Sequence, residues 1–146
     1  MTPCETPIDK ILLVDDDTVT NLMHGRMIKR SGLIRQVDVV TDGLAALEYL
    51  QDLAAAGDPW PQLVLLDINM PRMDGFEFLE GFAALPEETR DQDTLIIMLS
   101  TSALRADHDR AEADPNVHTY MAKPINIDDI SRFVTACHSD QRRPHS

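Results

Sequence analysis

Five short apolar runs recur along the chain and predict the strands of a sheet. They occupy residues 11–14, 37–40, 63–66, 95–99 and 117–121. The first, third and fourth runs are continuous apolar blocks, which is typical of strands in a parallel sheet whose two faces are both covered by helices. The second and fifth runs are more polar, which indicates positions nearer the sheet edges.

Segments with helical periodicity lie between these runs, because apolar side chains recur there at three- and four-residue spacing. The stripes are Val19, Leu22, Met23 and Met27; Leu44, Leu47, Tyr49 and Leu50; Phe76, Phe78, Leu79 and Phe82; a weaker helix over 104–113; and Ile127, Ile130, Phe133 and Val134. The alternation of strand and helix predicts an α/β fold with a parallel sheet. Right-handed crossovers then place helices on both faces of the sheet.

The pattern predicts a single domain over residues 8–138, with flexible termini at 1–7 and 139–146. Two connections look long for such a unit, namely 52–61 and the acidic stretch 86–94. The first long connection precedes the third strand, and the second precedes the fourth. We expect both to be surface loops.

Composition narrows the class of protein. The chain has 146 residues, 43% hydrophobic and 26% charged, which is typical of one globular domain. No apolar run approaches the roughly 20 residues of a membrane helix, and the first residues lack the pattern of a secretory signal, so we expect a cytoplasmic protein. A net charge of −12 disfavours direct binding to nucleic acid or anionic membranes. Cys4 and Cys137 show no zinc-binding spacing.

Polar side chains follow four of the five predicted strands. In chain order they are Asp15, Asp16 and Asp17; Asp67; Ser100 and Thr101; and Lys123 with Pro124. The carboxyl ends of parallel strands meet at one edge of the sheet, where open α/β folds bind their ligands. Taken singly, these groups are also compatible with helix caps and turns. Their joint placement at the strand ends indicates a site.

The chemistry of that site can be inferred if the strands are ordered 2-1-3-4-5, because this order makes the first and third strands neighbours. Asp15 or Asp16 then faces Asp67, and neighbouring carboxylates repel one another unless a cation intervenes. Mg²⁺ is the hard oxygen-binding ion that suits such an open site. With the Lys123 ammonium and the Ser100 hydroxyl, the group predicts a pocket for a transferring phosphoryl group.

Four segments resemble the receiver domain of two-component response regulators. They are Lys10-Ile-Leu-Leu-Val-Asp-Asp-Asp17, Leu65-Leu-Asp-Ile-Asn-Met-Pro-Arg-Met-Asp-Gly75, Met98-Leu-Ser-Thr-Ser102 and Tyr120-Met-Ala-Lys-Pro124. The similarity covers roughly residues 8 to 138. It implies the flavodoxin-like, doubly wound fold and a stand-alone receiver similar in plan to the chemotaxis response regulator.

The resemblance assigns a role to each site residue. It implies that Asp67 is the phosphoacceptor, and that Mg²⁺ is held by Asp15, Asp16, Asp67 and the backbone carbonyl of Asn69. Lys123 pairs with the phosphoryl oxygens, and its bond to Pro124 is cis in this family. Ser100 and Tyr120 take the places of the switch residues. Asp17 lies one residue beyond the metal pair and is interpreted as a helix cap.

The implied function is phosphoryl transfer from a sensor histidine kinase or a histidine phosphotransfer protein, followed by a changed interaction with a downstream protein. On this interpretation the chain is not an enzyme, although it assists its own phosphorylation and dephosphorylation. One alternative is a Mg²⁺-dependent phosphohydrolase with an Asp nucleophile. Such enzymes carry a second Asp two residues after the first, where this chain has Asn69, which cannot act as the general acid. Another alternative is an interaction module that is never phosphorylated.

Overall fold

The computed structural model describes residues 7–70, 72–85, 94–100 and 105–141. All five predicted strands form, and they pair in parallel in the order 2-1-3-4-5. The strands are β1 (Ile8–Val14), β2 (Ile34–Val40), β3 (Leu63–Asp67), β4 (Leu95–Ser100) and β5 (Val117–Ala122). The first two begin three residues earlier than their apolar runs. The prediction of a five-stranded, flavodoxin-like sheet is confirmed.

Five helices alternate with the strands and cover both faces of the sheet. They are α1 (Thr18–Ser31), α2 (Gly43–Ala56), α3 (Gly75–Ala84), α4 (Arg105–Ala113) and α5 (Ile127–Gln141). Buried side chains of α2, α3 and α4 share one apolar core with one face of the sheet. Buried side chains of α1 and α5 share a second core with the other face.

The central strands are buried on both faces, as their continuous apolar sequences predicted. Within β1, Leu12 and Val14 point into the core under α2, α3 and α4, whereas Ile11 and Leu13 point into the core under α1 and α5. All residues of β3 and β4 are buried. The more polar β2 and β5 lie at the two edges, which confirms their predicted positions.

Helix α3 buries the side chains that its periodicity selected. Phe76, Phe78, Leu79 and Phe82 are all buried. Helix α5 buries three of its four predicted stripe residues, but Ile127 at its first position is 41% exposed. For these two helices, apolar spacing identified most of the face that packs on the sheet.

Helix α1 forms where it was predicted, but most of its apolar stripe faces outward. Val19 is 70%, Leu22 56% and Met23 41% exposed. The side chains of α1 that are buried are Asn21, His24 and Ile28. Periodicity therefore identified this helix but not the face that it buries.

The connection over 52–61 is shorter than expected. Residues 52–56 belong to α2, which ends at Gly57 in the left-handed conformation. The loop that remains is held by Trp60, which is 4% exposed and donates its indole N–H to the Leu50 carbonyl at 2.9 Å. Residues 57–59 are exposed, so the remaining loop lies on the surface and is anchored to the core by the Trp60 ring.

The other predicted loop and the termini are described only in part. Residues 86–93 of the loop over 86–94 lie outside the described residues, as do residues 1–6, Cys4 among them, and 142–146. Residues 139–141 continue α5, so the helix extends into the predicted tail. Cys137 is buried in α5. None of the helices in the described ranges is both long and apolar enough to cross a membrane.

Candidate functional site

Three carboxylates meet at the carboxyl ends of β1 and β3. Asp15 and Asp67 are each 5% exposed, and Asp16 is exposed to solvent. One oxygen from each of the three can be chosen so that all lie within 4.8 Å of one another. The neighbouring pairing of β1 with β3 produces this cluster, as the strand order predicted.

Lys123 reaches the same cluster from the loop after β5. Its Nζ lies 2.6 Å from Asp15 Oδ2 and 3.0 Å from Asp67 Oδ1. The backbone N–H of Lys123 donates to the Ser100 carbonyl at 3.0 Å, and the bond between Lys123 and Pro124 is cis. One buried ammonium therefore bridges the two buried carboxylates.

The pKa of Asp67 and that of Lys123 are both raised. Burial raises the pKa of Asp67, with the Asp15 charge acting in the same direction, while Lys123 and the Asn69 backbone N–H partly offset this. For Lys123, burial alone lowers the pKa, but the hydrogen bonds and charges of Asp15 and Asp67 outweigh it. The raised pKa of Lys123 favours its charged ammonium, whereas Asp67 is harder to ionise than a solvent-exposed carboxyl, an effect that the nearby donors offset only in part.

The donor set fits a hard divalent cation. Three carboxylates and one ammonium leave two uncompensated negative charges, and every candidate ligand atom is an oxygen. Asp16 gives the cluster an open, solvent-facing side, which suits a hydrated ion such as Mg²⁺ because that ion would exchange few of its waters for protein ligands. The carbonyl of Asn69, a ligand implied by the resemblance, stays a prediction.

The loop between β3 and α3 is fixed by contacts that sequence reasoning missed. The Arg72 guanidinium, on a residue with a φ of 62°, binds the buried Asp42 carboxylate with Nε and with Nη2 at 2.8 and 2.6 Å. A Cβ at Gly75 would lie 2.6 Å from the Asp67 carbonyl oxygen. The Asp74-Gly75 pair is the sequence signal for the close approach at residue 75, but no local pattern signals the contact of Arg72 with Asp42.

The first turn of α1 fixes the acidic loop. Asp17 accepts a hydrogen bond from the Val19 amide and is the N-cap of α1, as interpreted from the sequence. Asn21 donates to the Asp15 carbonyl at 2.8 Å. His24 accepts at Nε2 from the Ile125 amide at 3.4 Å. The roles of Asn21 and His24 were not foreseen.

Ser100 and Tyr120 lie on the same face of the sheet. Ser100 is fully buried at the end of β4 and pairs with Ala122 in β5. Because alternate residues of a strand share a face, Tyr120 points to the side on which Ser100 lies. The ring of Tyr120 packs against the core under α2, α3 and α4 and meets the His108 ring of α4 edge-on at 5.2 Å.

Comparison with known proteins identifies the family. Residues 11–135 match the model of the response regulator receiver domain. The chain is 32% identical to the probable methanogenesis regulatory protein FilR2 of Methanothrix harundinacea, over 85% of this chain and 77% of that protein. This chain belongs to the response regulator receiver domain family.

Solved structures agree with this assignment. A two-component response regulator from Cytophaga hutchinsonii superposes with a TM-score of 0.84 at 30% identity, covering 91% of this chain and 98% of the other. The Mn²⁺-bound form of the response regulator Rcp1 gives a TM-score of 0.67 at 28% identity, covering 94% and 96%. Rcp1 of Synechocystis is 29% identical over 91% of this chain and 88% of its own length. The chain is therefore a receiver domain homologous to response regulators of two-component systems.

Proposed function

We propose that Asp67 is the phosphoacceptor of this receiver, and that Asp15, Asp16 and Asp67 hold Mg²⁺. The observation that carries the proposal is the Lys123 ammonium between two buried carboxylates, beside a third carboxylate that opens to solvent. Family membership supports the same assignment, because receiver domains accept phosphoryl groups at an acidic pocket of this kind. We expect the domain to span residues 8–138 and to work in the cytoplasm.

The proposed reaction is a phosphoryl transfer from a phosphohistidine to a carboxylate. An oxygen of Asp67 attacks phosphorus, the P–N bond breaks, and the imidazole of the donor leaves with the bonding electron pair and takes up a proton. Lys123 is placed to neutralise charge on the phosphoryl oxygens, and Ser100 offers a hydroxyl donor. When bound, Mg²⁺ supplies further positive charge to the same oxygens.

The readout that we propose uses Ser100 and Tyr120. Movement of the Ser100 hydroxyl toward the new phosphoryl group leaves space on the face of the sheet that Tyr120 shares. The Tyr120 ring then turns inward and changes the surface formed by α4, β5 and α5. Unchanged amide shifts over residues 105–122 after phosphorylation would contradict this switch.

The phosphodonor that we propose is a sensor histidine kinase or a histidine phosphotransfer protein. Apolar side chains of α1 and α5 next to the acidic loop support a protein partner, since Val19, Leu22 and Ile127 are each at least 41% exposed. Exposed apolar patches of this kind mark interaction sites on soluble domains. A downstream protein target then recognises the switched surface.

The decisive experiment is chemical. The protein is incubated with Mg²⁺ and acetyl phosphate and its intact mass is measured, with Asp67→Asn as the matched control. We expect one hydroxylamine-labile phosphoryl group on the wild type and none on the control. A wild type that binds Mg²⁺ and gains phosphate only from a kinase would restrict the donor to proteins. Absence of both Mg²⁺ binding and phosphate gain would overturn the proposal in favour of an interaction module.

Hydrolytic turnover is disfavoured by the residue two positions after Asp67. Asn69 stands where a phosphohydrolase of the Asp-nucleophile type carries its acid, and an amide cannot protonate a leaving alkoxide. Steady release of phosphate from a monoester, lost in Asp67→Asn, would support the enzyme instead.

A further inference from the structure

Helix α1 buries two polar side chains side by side. Asn21 and His24 lie three residues apart on one helix face and are 8% and 2% exposed. Meanwhile Val19, Leu22 and Met23 of the same helix face solvent. Burial of a polar side chain is unfavourable unless the side chain forms hydrogen bonds. The burial of polar rather than apolar residues of α1 therefore indicates that Asn21 and His24 form specific hydrogen bonds here.

The partner of Asn21 is the loop after β1, which carries Asp15 and Asp16, two of the three proposed metal-binding carboxylates. The Asn21 amide donates Nδ2 to the Asp15 carbonyl at 2.8 Å, and Asp15 in turn accepts the Asp17 amide at 2.9 Å. The Oδ1 of Asn21 is buried and has no hydrogen-bond partner among the described residues. An apolar residue would avoid that unpaired oxygen, so the donated hydrogen bond is the evident reason for an amide here.

The partner of His24 is the loop that carries the ammonium. Nε2 of His24 accepts the Ile125 amide, two residues after Lys123 and 101 residues from His24 in the sequence. Ile125 is itself 1% exposed, in the core under α1 and α5. Burial lowers the pKa of His24, with the Lys123 charge acting the same way and the Asp15 charge against it. The ring is therefore neutral near pH 7 and free to accept.

We propose that Asn21 and His24 are positioning residues, each of which holds a different loop of the site. Asn21 holds the loop of Asp15 and Asp16 through the Asp15 carbonyl, and His24 holds the loop of Lys123 through the Ile125 amide. This inference rests on the proposed phosphoacceptor function, because it divides that function into metal binding and phosphoryl transfer.

Loss of each contact is expected to change a different quantity: Mg²⁺ affinity for Asn21, and the phosphorylation rate for His24. In Asn21→Leu, we expect Mg²⁺ affinity to fall roughly fivefold, with the phosphorylation rate at saturating Mg²⁺ within about twofold of wild type. In His24→Leu, we expect no loss of Mg²⁺ affinity, because a displaced Lys123 ammonium competes less with the ion for Asp15 and Asp67, and a rate at saturating Mg²⁺ that falls roughly fivefold or more, because Lys123 no longer reaches the phosphoryl oxygens. Calorimetric Mg²⁺ titration and acetyl phosphate kinetics by intact mass give both numbers.

Two further variants separate positioning from mere packing. His24→Gln keeps an acceptor oxygen near the place of Nε2, and we expect it to recover most of the rate lost in His24→Leu. Ile28→Val changes the fully buried apolar residue of the same helix face and leaves both contacts intact, so both parameters stay at wild-type values. If Gln is no better than Leu, or if Ile28→Val reproduces either effect, the proposal is wrong.

A spectroscopic measurement tests the contact of His24 with the Ile125 amide without any variant. Long-range ¹H–¹⁵N NMR of the ring reports which nitrogen carries the proton, and the proposal requires an unprotonated Nε2 and a protonated Nδ1. The opposite tautomer overturns this contact. If the wild type binds Mg²⁺ but is never phosphorylated, the phosphoacceptor proposal fails alone, since the tautomer and the Asn21→Leu effect on Mg²⁺ affinity still decide whether these residues hold their loops.

Discussion

Helices α1 and α3 cover opposite faces of the same sheet, and they differ in the kind of side chain that they bury. Helix α3 turns Phe76, Phe78, Leu79 and Phe82 into the core and holds its N-terminus with Asp74. Helix α1 turns Asn21 and His24 inward and leaves apolar side chains in solvent. This difference in buried side chains follows from the groups against which each helix packs.

The aromatic stripe of α3 packs against other apolar side chains, so apolar burial is the main requirement there, and only its first residue, Gly75, closely approaches the backbone of Asp67 and Ile68. The inner face of α1 meets backbone groups of the loops after β1 and β5, which need hydrogen-bond partners. The inner face of α1 thus follows the hydrogen-bonding demands of the site loops, whereas the aromatic stripe of α3 follows the hydrophobic effect.

The largest expected difference between the helices is in stability after truncation of an apolar side chain. Phe78→Ala in α3 removes a fully buried ring, and we expect a loss of about 3–5 kcal/mol in the free energy of unfolding. Leu22→Ala in α1 changes a side chain that is 56% exposed, with an expected change below about 0.5 kcal/mol. Urea denaturation measures both, and a comparable loss in the two variants would erase the distinction.

The N-caps are expected to differ less. Asp74 and Glu77 form a reciprocal capping box in α3, whereas in α1 the Asp17 side chain accepts from the Val19 amide and from the Thr20 hydroxyl. We expect Asp74→Ala to lose about 1 kcal/mol in the free energy of unfolding, because the Glu77 amide loses its acceptor, while the bond from the Asp74 amide to the Glu77 side chain survives. Asp17→Ala is expected to lose a comparable amount, since one amide of the first turn loses its acceptor there as well. Thermal unfolding of the Mg²⁺-free proteins measures both losses, and an unchanged melting temperature in either variant would contradict a capping role for that Asp.

A glycine inside each helix offers a smaller, matched test. A Cβ at Gly25 of α1 meets nothing within 4 Å, whereas one at Gly81 of α3 would lie 2.5 Å from Leu47 Cδ1. We expect Gly25→Ala to stabilise the protein by about 0.5–1 kcal/mol through helix propensity. Gly81→Ala gains less, because Leu47 must move. Denaturation midpoints measure both, and equal gains would show that α3 packs more loosely than its distances indicate.

The smallest expected effect is on pH dependence, and it belongs to α1. Burial lowers the pKa of His24 below the value of 6.5 that the unfolded chain has. Below that pH the unfolded chain binds a proton that the folded ring resists, so the free energy of unfolding falls as pH drops from 6.5 toward the folded pKa. Well above pH 6.5 the ring is neutral in both the folded and the unfolded chain, so His24 no longer makes the free energy of unfolding depend on pH. Asp15 and Lys123 are the charged groups that face the ring.

The control for this effect comes from the same position. Urea denaturation in chelator between about pH 8 and about pH 5.5 is compared for wild type and His24→Gln. We expect the wild type to lose more stability across this range than the variant, because the variant has no proton to bind. Parallel pH profiles would show that the ring is equally protonated in both states.

The local sequence determined the strands and helices of this fold and also which residues form its acidic pocket. Continuous apolar runs marked the buried strands, and their strand–helix alternation led to the parallel sheet. Because the carboxyl ends of parallel strands share one edge, Asp15, Asp67 and Lys123 could be expected together before any distance was known. Periodicity and chain order are local properties, and these features depend on little else.

The long-range contacts that support the loops of that pocket were decided only by the tertiary structure. The contact of His24 with Ile125 spans 101 residues and that of Arg72 with Asp42 spans 30, so no local pattern encodes either. The same holds for the inner face of α1, where apolar spacing selected Val19, Leu22 and Met23 and the fold buried Asn21 and His24. A helix buries the face that satisfies its neighbours, and those neighbours exist only once the sheet has formed.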